Sequence, residues 1–422
     1  MKRRLTINCQ KKKRITVLLG AGAVIESTNI STNSITDSVK NNTSDKCKEV
    51  MKMFDDSFAK HAIIATETEK ESGYMYLPLN FEDYYHLLDI VNGFTSYKSV
   101  KDRMNKYQII STRIDCYNKF SHYEYFLIKN EINEIINNTI YNYDKDYINS
   151  GVNINTFLSM FKDDYNLDIF NLNYDTLCEQ SLIKYNDGFI KDEYCGKFDP
   201  ILYQNNISHT VSHLHGCINY GFIYDPFEKH SHQEYYSRED TSLHKFKNYS
   251  DNDLKSPKDA QSQSGEYLSN GNIITGLLKT EKIIVQPFLS YFNYFYQCLL
   301  NNDILIVIGY GCGDSYINKC LEYYMTIFGE NKKMIFIDYI HSDKYQIKSK
   351  DGIGTSCYYA KEQLSTSNKQ FIYKDIWDKF DSRHLRIVKD YYYNESKNKL
   401  FFTCGFSSVL NKYDNIIKDY VG

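Results

Sequence analysis

The chain has 422 residues, enough for one large α/β domain with an insertion or for two domains. With 42% hydrophobic and 24% charged residues its composition is that of a globular protein. Its 50 basic and 53 acidic residues leave a net charge of −3, which gives no bulk drive toward nucleic acid or an anionic membrane surface. Forty Tyr and 24 Phe stand against a single Trp, Trp377, in a chain crowded with Asn, Lys and Ile. That bias reads as the codon usage of an AT-rich genome rather than as an aromatic recognition surface. The 11 cysteines form no C-x-x-C pair, which argues against a disulfide framework and a zinc ribbon and fits a reducing, cytoplasmic setting.

In chain order, Lys11, Lys12, Lys13 and Arg14 read as a solvated entry into a first strand, Ile15–Leu19. The run Ile15 to Ile25 has the look of a secretory signal. Because it also supplies the first half of a nucleotide site, a buried strand is the better reading. Comparable apolar runs recur at Leu167–Leu172, Val211–Leu214, Lys282–Val285, Ile304–Ile308 and Lys333–Ile337. Continuously apolar strands alternating with helices imply an α/β fold, a parallel sheet with helices on both faces. Between the first two strands lies a large helical insertion. One stripe comprises Phe81, Tyr84, Tyr85, Leu88 and Val91, with Gly93 expected to end it. A second comprises Ile128, Ile132, Ile135 and Ile136, ahead of an Asn-rich break. The expected division is 1–35 with 160–422 as the sheet domain and 36–159 as the helical subdomain. The stretch from Asp225 to Asn270, rich in Ser, Asp, Lys, Gln and His, reads as a long mobile loop.

Several strand ends carry groups suited to chemistry. Gly20-Ala21-Gly22-Ala23 follows the first strand, where glycine lets the backbone approach a phosphate and a helix N-terminus can assist. A structural turn explains it equally well. Ile25 in place of a third glycine speaks against a standard dehydrogenase. Asn173 and Asp175 close the second strand, where such sheets bind ligands, although both residue types also cap helices. His213 and His215 end the third strand, and strict alternation would place them on one face. A lone pair is too few ligands for a metal, so a single catalytic imidazole followed by a permissive Gly216 is the sharper reading. His230, His232 and His244 read as solvated. Gly309, Gly311 and Gly313 imply close backbone approach to something. Asp314 reads as the N-cap of a helix bearing Ile317, Leu321, Tyr324 and Met325 on one face, not as a catalytic group. Asp338, at the end of another strand, could accept ribose hydroxyls or simply sit in a turn.

Together and in this order, these motifs resemble the sirtuin superfamily, most closely the bacterial sirtuin-like proteins that cleave NAD in anti-phage defence. The resemblance rests on G-A-G-A at 20–23, S-T-N-S-I-T at 31–36, F-E-D at 81–83, N-Y-D at 173–175, L-H-G at 214–216 and the stretch from Ile274 to Leu321. Ile30 stands where that family has a proline before Ser31. It implies a Rossmann-like sheet and NAD+ as substrate. It further implies Gly20, Ala21, Gly22 and Ala23 at the pyrophosphate, Asn173 and Asp175 around the nicotinamide ribose, and His215 as the catalytic histidine. Gly309 and Gly311 would touch the adenosine side, and Asp338 the adenine ribose. F-E-D supports the family without a chemical role.

The departures shape the expected activity. The two C-x-x-C pairs that hold structural zinc in protein-deacylating sirtuins are missing, so no zinc is expected. G-A-G-A-V-I-E lacks the Ser and Arg used around acyl-lysine. The expectation is therefore an NAD+ glycohydrolase releasing nicotinamide and ADP-ribose or a cyclic isomer, with Asn173, His215 and Asp175 as catalytic residues. A protein deacylase or ADP-ribosyltransferase, and a non-catalytic nucleotide sensor, are the alternatives. The resemblance also suggests a homo-oligomer, held in check until an operon-encoded ATPase or nuclease partner or a phage-derived activator intervenes.

Overall fold

The computed structural model describes residues 12–56, 79–96, 120–191, 195–205, 208–221, 224–226, 236–238, 243–249, 272–275, 283–311, 314–328, 331–339, 386–388, 391–394 and 398–422. β1 (Arg14–Leu19) leads through α1 (Gly22–Thr28) into α2 (Thr32–Asn42), the helical residues 45–56 (α3), α4 (Phe81–Ser96) and α5 (His122–Asp144). Two short helices, α6 (Tyr147–Ser150) and α7 (Val152–Ser159), return the chain to β2 (Asn166–Asn171). There follow α8 (Leu177–Ser181), β3 (Cys195–Lys197), α9 (Pro200–Gln204) and β4 (Thr210–His213). Next come β5 (Tyr220–Gly221), β6 (Tyr224–Pro226), β7 (Tyr236–Arg238) and β8 (His244–Phe246). The last part holds α10 (Phe288–Asn301), β9 (Ile304–Ile308), α11 (Ser315–Phe328) and β10 (Lys333–Ile337). It closes with β11 (Arg386–Val388), β12 (Tyr391–Asn394), β13 (Lys399–Phe402), α12 (Phe406–Lys412) and α13 (Asp414–Val421).

These strands form an eight-stranded sheet in the order β11-β12-β13-β10-β9-β1-β2-β4. The six strands from β13 to β4 are parallel, and β12 and β11 extend them antiparallel. Counted along the chain, the parallel strands lie in the order 3-2-1-4-5-6 of dinucleotide-binding sheets, so the fold is Rossmann-like α/β. The strand order reverses between β1 and β9, which pair from Ile15↔Ile304 to Leu19↔Ile308.

Alternation along β1 sends Ile15, Val17 and Leu19 to one face, where they join Phe157, Phe406, Val409 and Ile417. Leu18 faces the other side with Phe170, Val307 and Phe336, in one apolar cluster with Val39, Phe54, Phe81, Tyr84, Val91, Ile132 and Ile136 of the inserted helices. The insertion therefore shares its core with the sheet.

Several local expectations change. Arg14 is not a solvated lysine-run residue: its guanidinium pairs with Asp168, Nε to Oδ2 at 2.8 Å. Asp168 is fully buried and also accepts from Thr210, Tyr294 and Asn302. Helix α4 passes through Gly93 to Ser96, because the buried stripe ahead of it outweighs one glycine. Helix α5 likewise runs through the Asn-rich stretch to Asp144. Asn133 and Asn137 are buried there and gripped by Asn272, at 3.1 and 3.0 Å. Residues 283–285 form a turn into α10 rather than a strand. The polar stretch carries β6, β7 and β8, strands of three residues and too short to show a period. His244 in β8 is buried, not solvated, while His230 and His232 lie outside the described residues. Met325 falls within α11, of which Ile317, Leu321 and Tyr324 are buried.

The turns after β1 and β9 touch backbone to backbone. Gly309 has φ +59°, and a Cβ on it would lie 2.3 Å from the Ala23 nitrogen. A Cβ on Gly22 would come 2.6 Å from the Gly309 Cα. Gly311, by contrast, has open space around it. Gly309→Ala should therefore destabilise the fold by ~2 kcal/mol or more, through a left-handed non-glycine backbone plus steric overlap. Gly311→Ala should change stability by less than ~1 kcal/mol. Urea denaturation of the two variants against the parent checks both values.

Candidate active site

Ligands of open parallel sheets bind outside the carboxyl ends of the strands where the order reverses. A cavity of about 340 Å³ lies there. It is lined by Gly20 and Ala21 after β1, Ser31 and Thr32 at the start of α2, and Asn80, Phe81 and Glu82 at the start of α4. Ile140 and Tyr143 of α5 close one side, with Leu172, Asn173 and Tyr174 after β2. His215 after β4 and Tyr310, Gly311 and Asp314 after β9 complete the wall. A larger cleft of about 770 Å³ opens at the amino end of the sheet, beside Arg14 and Asp168. None of the candidate catalytic or nucleotide-binding residues borders that cleft, so the smaller cavity is the candidate site.

The glycine turn is organised first by the protein itself. Gly20 N donates to Ile308 O and Gly22 N to Gly309 O, both at 2.9 Å, while Ala23 N returns to Gly20 O. Those amides are occupied, and no acceptor is found for the Ala21 amide among the described residues. Gly22, Ala23 and Gly309 are packed behind the cavity rather than lining it. The start of α2 is closed by a capping box, Ser31 with Ser34. The F-E-D motif acquires a physical reason: Asn80 caps α4, its Oδ1 accepting from Glu82 N and Asp83 N, and Asp83 Oδ2 accepts from Asn80 N. That leaves Glu82 at the cavity wall.

Asn173 is held by its own turn. Its amide N–H donates to Asn171 Oδ1 at 2.9 Å, and its side-chain Nδ2 donates to Gly20 O at 3.2 Å. His215, almost fully buried, donates from Nε2 to Asp314 Oδ2 at 2.9 Å. Asp314 Oδ1 accepts from Tyr316 N and Ile317 N and so caps α11. The capping role is legible from sequence; the grip on His215, across 99 residues, is not. In the neutral imidazole that donates its Nε2 hydrogen to Asp314, the lone pair resides on Nδ1. Gly216 follows with φ +92°, and a Cβ there would lie 2.0 Å from Asn272 O. Asn272 is the residue clamped by Asn133 and Asn137, so α5 braces the histidine turn through it.

His213 and His215 do not share surroundings, because the strand ends at His213. His213 is fully buried, with Nε2 2.8 Å from Glu179 Oε1 and Nδ1 3.3 Å from Asn173 O. Burial opposes its protonation, but Glu179 outweighs burial and raises its pKa. Lys245 Nζ bridges Glu179 Oε1 at 3.0 Å and Asp187 Oδ2 at 2.7 Å. Burial likewise opposes the Glu179 charge, yet His213 and Lys245 hold its carboxyl far below the usual range. Among the described residues, Glu179, His213 and Cys217 are the one trio whose donor atoms converge as metal ligands do, within 4.8 Å. The His213–Glu179 hydrogen bond and the Lys245 ammonium already occupy and neutralise that trio.

Asp175 does not reach the cavity. It is 1% exposed, its Oδ2 accepting from Tyr143 OH at 3.1 Å and its Oδ1 from Leu177 N at 3.3 Å. Burial, then the charge of Asp175, lifts the phenol of Tyr143 well above its ordinary value and keeps it a donor. Asp144 accepts from Thr176 N and Oγ1, both at 2.7 Å. Asp338 lies at the end of β10 outside the cavity, its Oδ1 accepting from Tyr339 N at 2.8 Å.

No family model matches the chain, and a search of curated proteins finds no matching relative. No helix among the described residues is long and apolar enough to cross a membrane.

Burial, reinforced by Asp175, pushes Asp144 up to about 7 from an ordinary 3.8. The folded chain thus binds more protons than the unfolded one between those values. The contribution is fully present below the unfolded pKa and is lost as pH rises through about 7. Asp144→Asn, which can still accept from Thr176 N, should flatten that loss. From pH 5 to pH 8 the parent should lose at least ~1.4 kcal/mol more stability than the variant, a tenfold change in the folding equilibrium. Urea titrations of both proteins at the two pH values measure the difference.

Proposed function

We propose that this chain is an NAD+ glycohydrolase of sirtuin-like type, acting in the cytoplasm. The observation that carries the reading is the convergence of Gly20, Ala21, Ser31, Asn173, His215 and Gly311 on a single cavity at the reversal point of the sheet. A site between β1 and β9 suits a dinucleotide, and the start of α2 offers the positive end of a helix dipole to its pyrophosphate. The Ala21 amide adds a hydrogen-bond donor there.

The reaction is the attack of water on the anomeric carbon of the nicotinamide ribose. The C–N bond to nicotinamide breaks, its electron pair leaves with the ring, and a C–O bond forms to give ADP-ribose and a proton. The transition state carries oxocarbenium character. Asn173, pinned by the Gly20 carbonyl, orients the ribose or the water. His215, held by Asp314, takes the proton at Nδ1. Asp175 acts through Tyr143, fixing the wall of the site instead of meeting the sugar. Attack by a group of the substrate itself would give a cyclic isomer, and attack by a protein nucleophile would give ADP-ribosyl transfer. Depletion of NAD+ in anti-phage defence, a homo-oligomer and an activating partner belong to the same reading.

Purified protein should consume NAD+ and release nicotinamide in equal amounts. His215→Ala should lower the rate by ~10² to 10⁴-fold, the span of a lost general base. Asn173→Ala should lower it by ~10²-fold through misplacement. Chromatography of NAD+, nicotinamide and ADP-ribose reads the result. Saturable NAD+ binding without turnover, even with candidate activators, would favour the sensor. Absence of binding would overturn the nucleotide site altogether.

A further inference from the structure

The turn after β2 separates two cavities. Residues 172–174 line the first, and Thr176, Glu179 and Gln180 line a second of about 400 Å³. The second cavity has charged walls, with Lys191, Lys245 and Lys247 against Glu179 and Asp187. Lys245 lies between the two carboxylates, whereas Lys191 and Lys247 are exposed. The excess of ammonium groups calls for an anion. Glu179 adds a second demand. Its Oε1 takes both His213 and Lys245, while its buried Oε2 accepts no hydrogen bond among the described residues. A buried carboxylate oxygen without a donor is costly, so a ligand that turns the Glu179 carboxylate toward the cavity and supplies an O–H or N–H to Oε2 gains affinity. The cavity is of the size that takes small metabolites.

We propose that this second cavity binds an organic phosphate ester bearing hydroxyl donors, a sugar phosphate or a nucleotide, and that its occupancy is felt at Asn173. The phosphate pairs with Lys191 and Lys247, and a hydroxyl donates to Glu179 Oε2. The route to the first cavity is short. Glu179 holds His213 at 2.8 Å, and His213 Nδ1 lies 3.3 Å from the carbonyl oxygen of Asn173. A ligand that engages Lys245 and Glu179 alters the load on His213 and hence on the turn that carries Asn173. The regulatory meaning of this coupling rests on the proposed hydrolase, but the site itself does not.

Isothermal titration of the full chain with ribose 5-phosphate, AMP and inorganic phosphate tests the proposal. At least one ester should bind at one site per chain, at least tenfold more tightly than phosphate, and with saturating NAD+ present. The double variant Lys191→Ala/Lys247→Ala, confined to exposed side chains, should weaken that binding at least tenfold. Glu179→Gln should erase the preference for ester over phosphate. Hydrogen exchange of residues 172–181 should slow on ligand addition in the parent and not in the double variant. Whichever of ribose 5-phosphate and AMP binds more tightly identifies the sugar-phosphate or the nucleotide source. No saturable binding, displacement by NAD+, or indifference to the double variant would overturn the site, and equal affinity for phosphate would overturn the hydroxyl contact. Unchanged exchange despite binding would overturn the coupling. These readouts need no NAD+ turnover, so their failure is distinguishable from failure of the hydrolase reading.

Discussion

The contact of Gly22 with Gly309 is the constraint on which the candidate site depends. Two parallel strands leave the sheet side by side, and their turns cross at a separation that admits no Cβ on either residue. The crossing is locked by hydrogen bonds from Gly20 to Ile308 and from Gly22 to Gly309. It fixes the Gly20 carbonyl, which in turn holds the side chain of Asn173. Further out, the chains diverge into α1 and α11, and the cavity lies in that divergence. A larger residue at the crossing would therefore disturb the asparagine as well as the sheet end.

Helix α5 is the second constraint, acting from outside the sheet. Asn133 and Asn137 clamp Asn272, whose carbonyl stands over Gly216 and whose neighbour Ile273 bridges to it. Ile140 and Tyr143 then line the cavity, and Asp144 grips Thr176 just beyond the Asn173 turn. One helix thus braces both the histidine turn and the asparagine turn. Amide pairing across the interface, from Asn133 Nδ2 to Asn272 Oδ1 and from Asn272 Nδ2 to Asn137 Oδ1, also helps to explain why an Asn-rich segment remains helical: these groups bond across it instead of competing for their own backbone.

Five of the six parallel strands were legible as apolar runs because both faces of the sheet are covered. β13 was not, since Lys399–Phe402 is a short four-residue run that opens on a lysine, which is buried only by tertiary context. The polar stretch hid β8, whose Lys245 is central to the Glu179 network. The cavity-lining motifs could be read from their places at strand ends, where β-strand periodicity gives way to glycine and capping residues. What sequence could not supply is pairing across distance. Nothing local to D-S-Y-I marks Asp314 as the partner of His215, and nothing in N-Y-D shows Asp175 turned inward to Tyr143. Asp338 followed a general rule of strand ends that this chain does not use at its cavity.

The inward turn of Asp175 bears on how charge reaches the sugar in the proposed reaction. An oxocarbenium-like transition state gains from nearby negative charge, and the resemblance implied Asp175 as a catalytic residue beside the nicotinamide ribose. Asp175 lies beside Asp144 in a buried setting where burial raises both pKa values, so the pair does not present two full charges at neutral pH. His213 opposes part of that rise at Asp175. Tyr143, moreover, stands between Asp175 and the cavity as a hydrogen-bond donor. Among the described residues, the carboxylates that line the cavity are Glu82 and Asp314, one at the head of α4 and the other hydrogen-bonded to His215. In this geometry Asp175 secures the wall. In the proposed reaction Asp314 would stabilise the imidazolium formed as His215 takes a proton, and Glu82 would be the carboxylate to meet charge on the ligand.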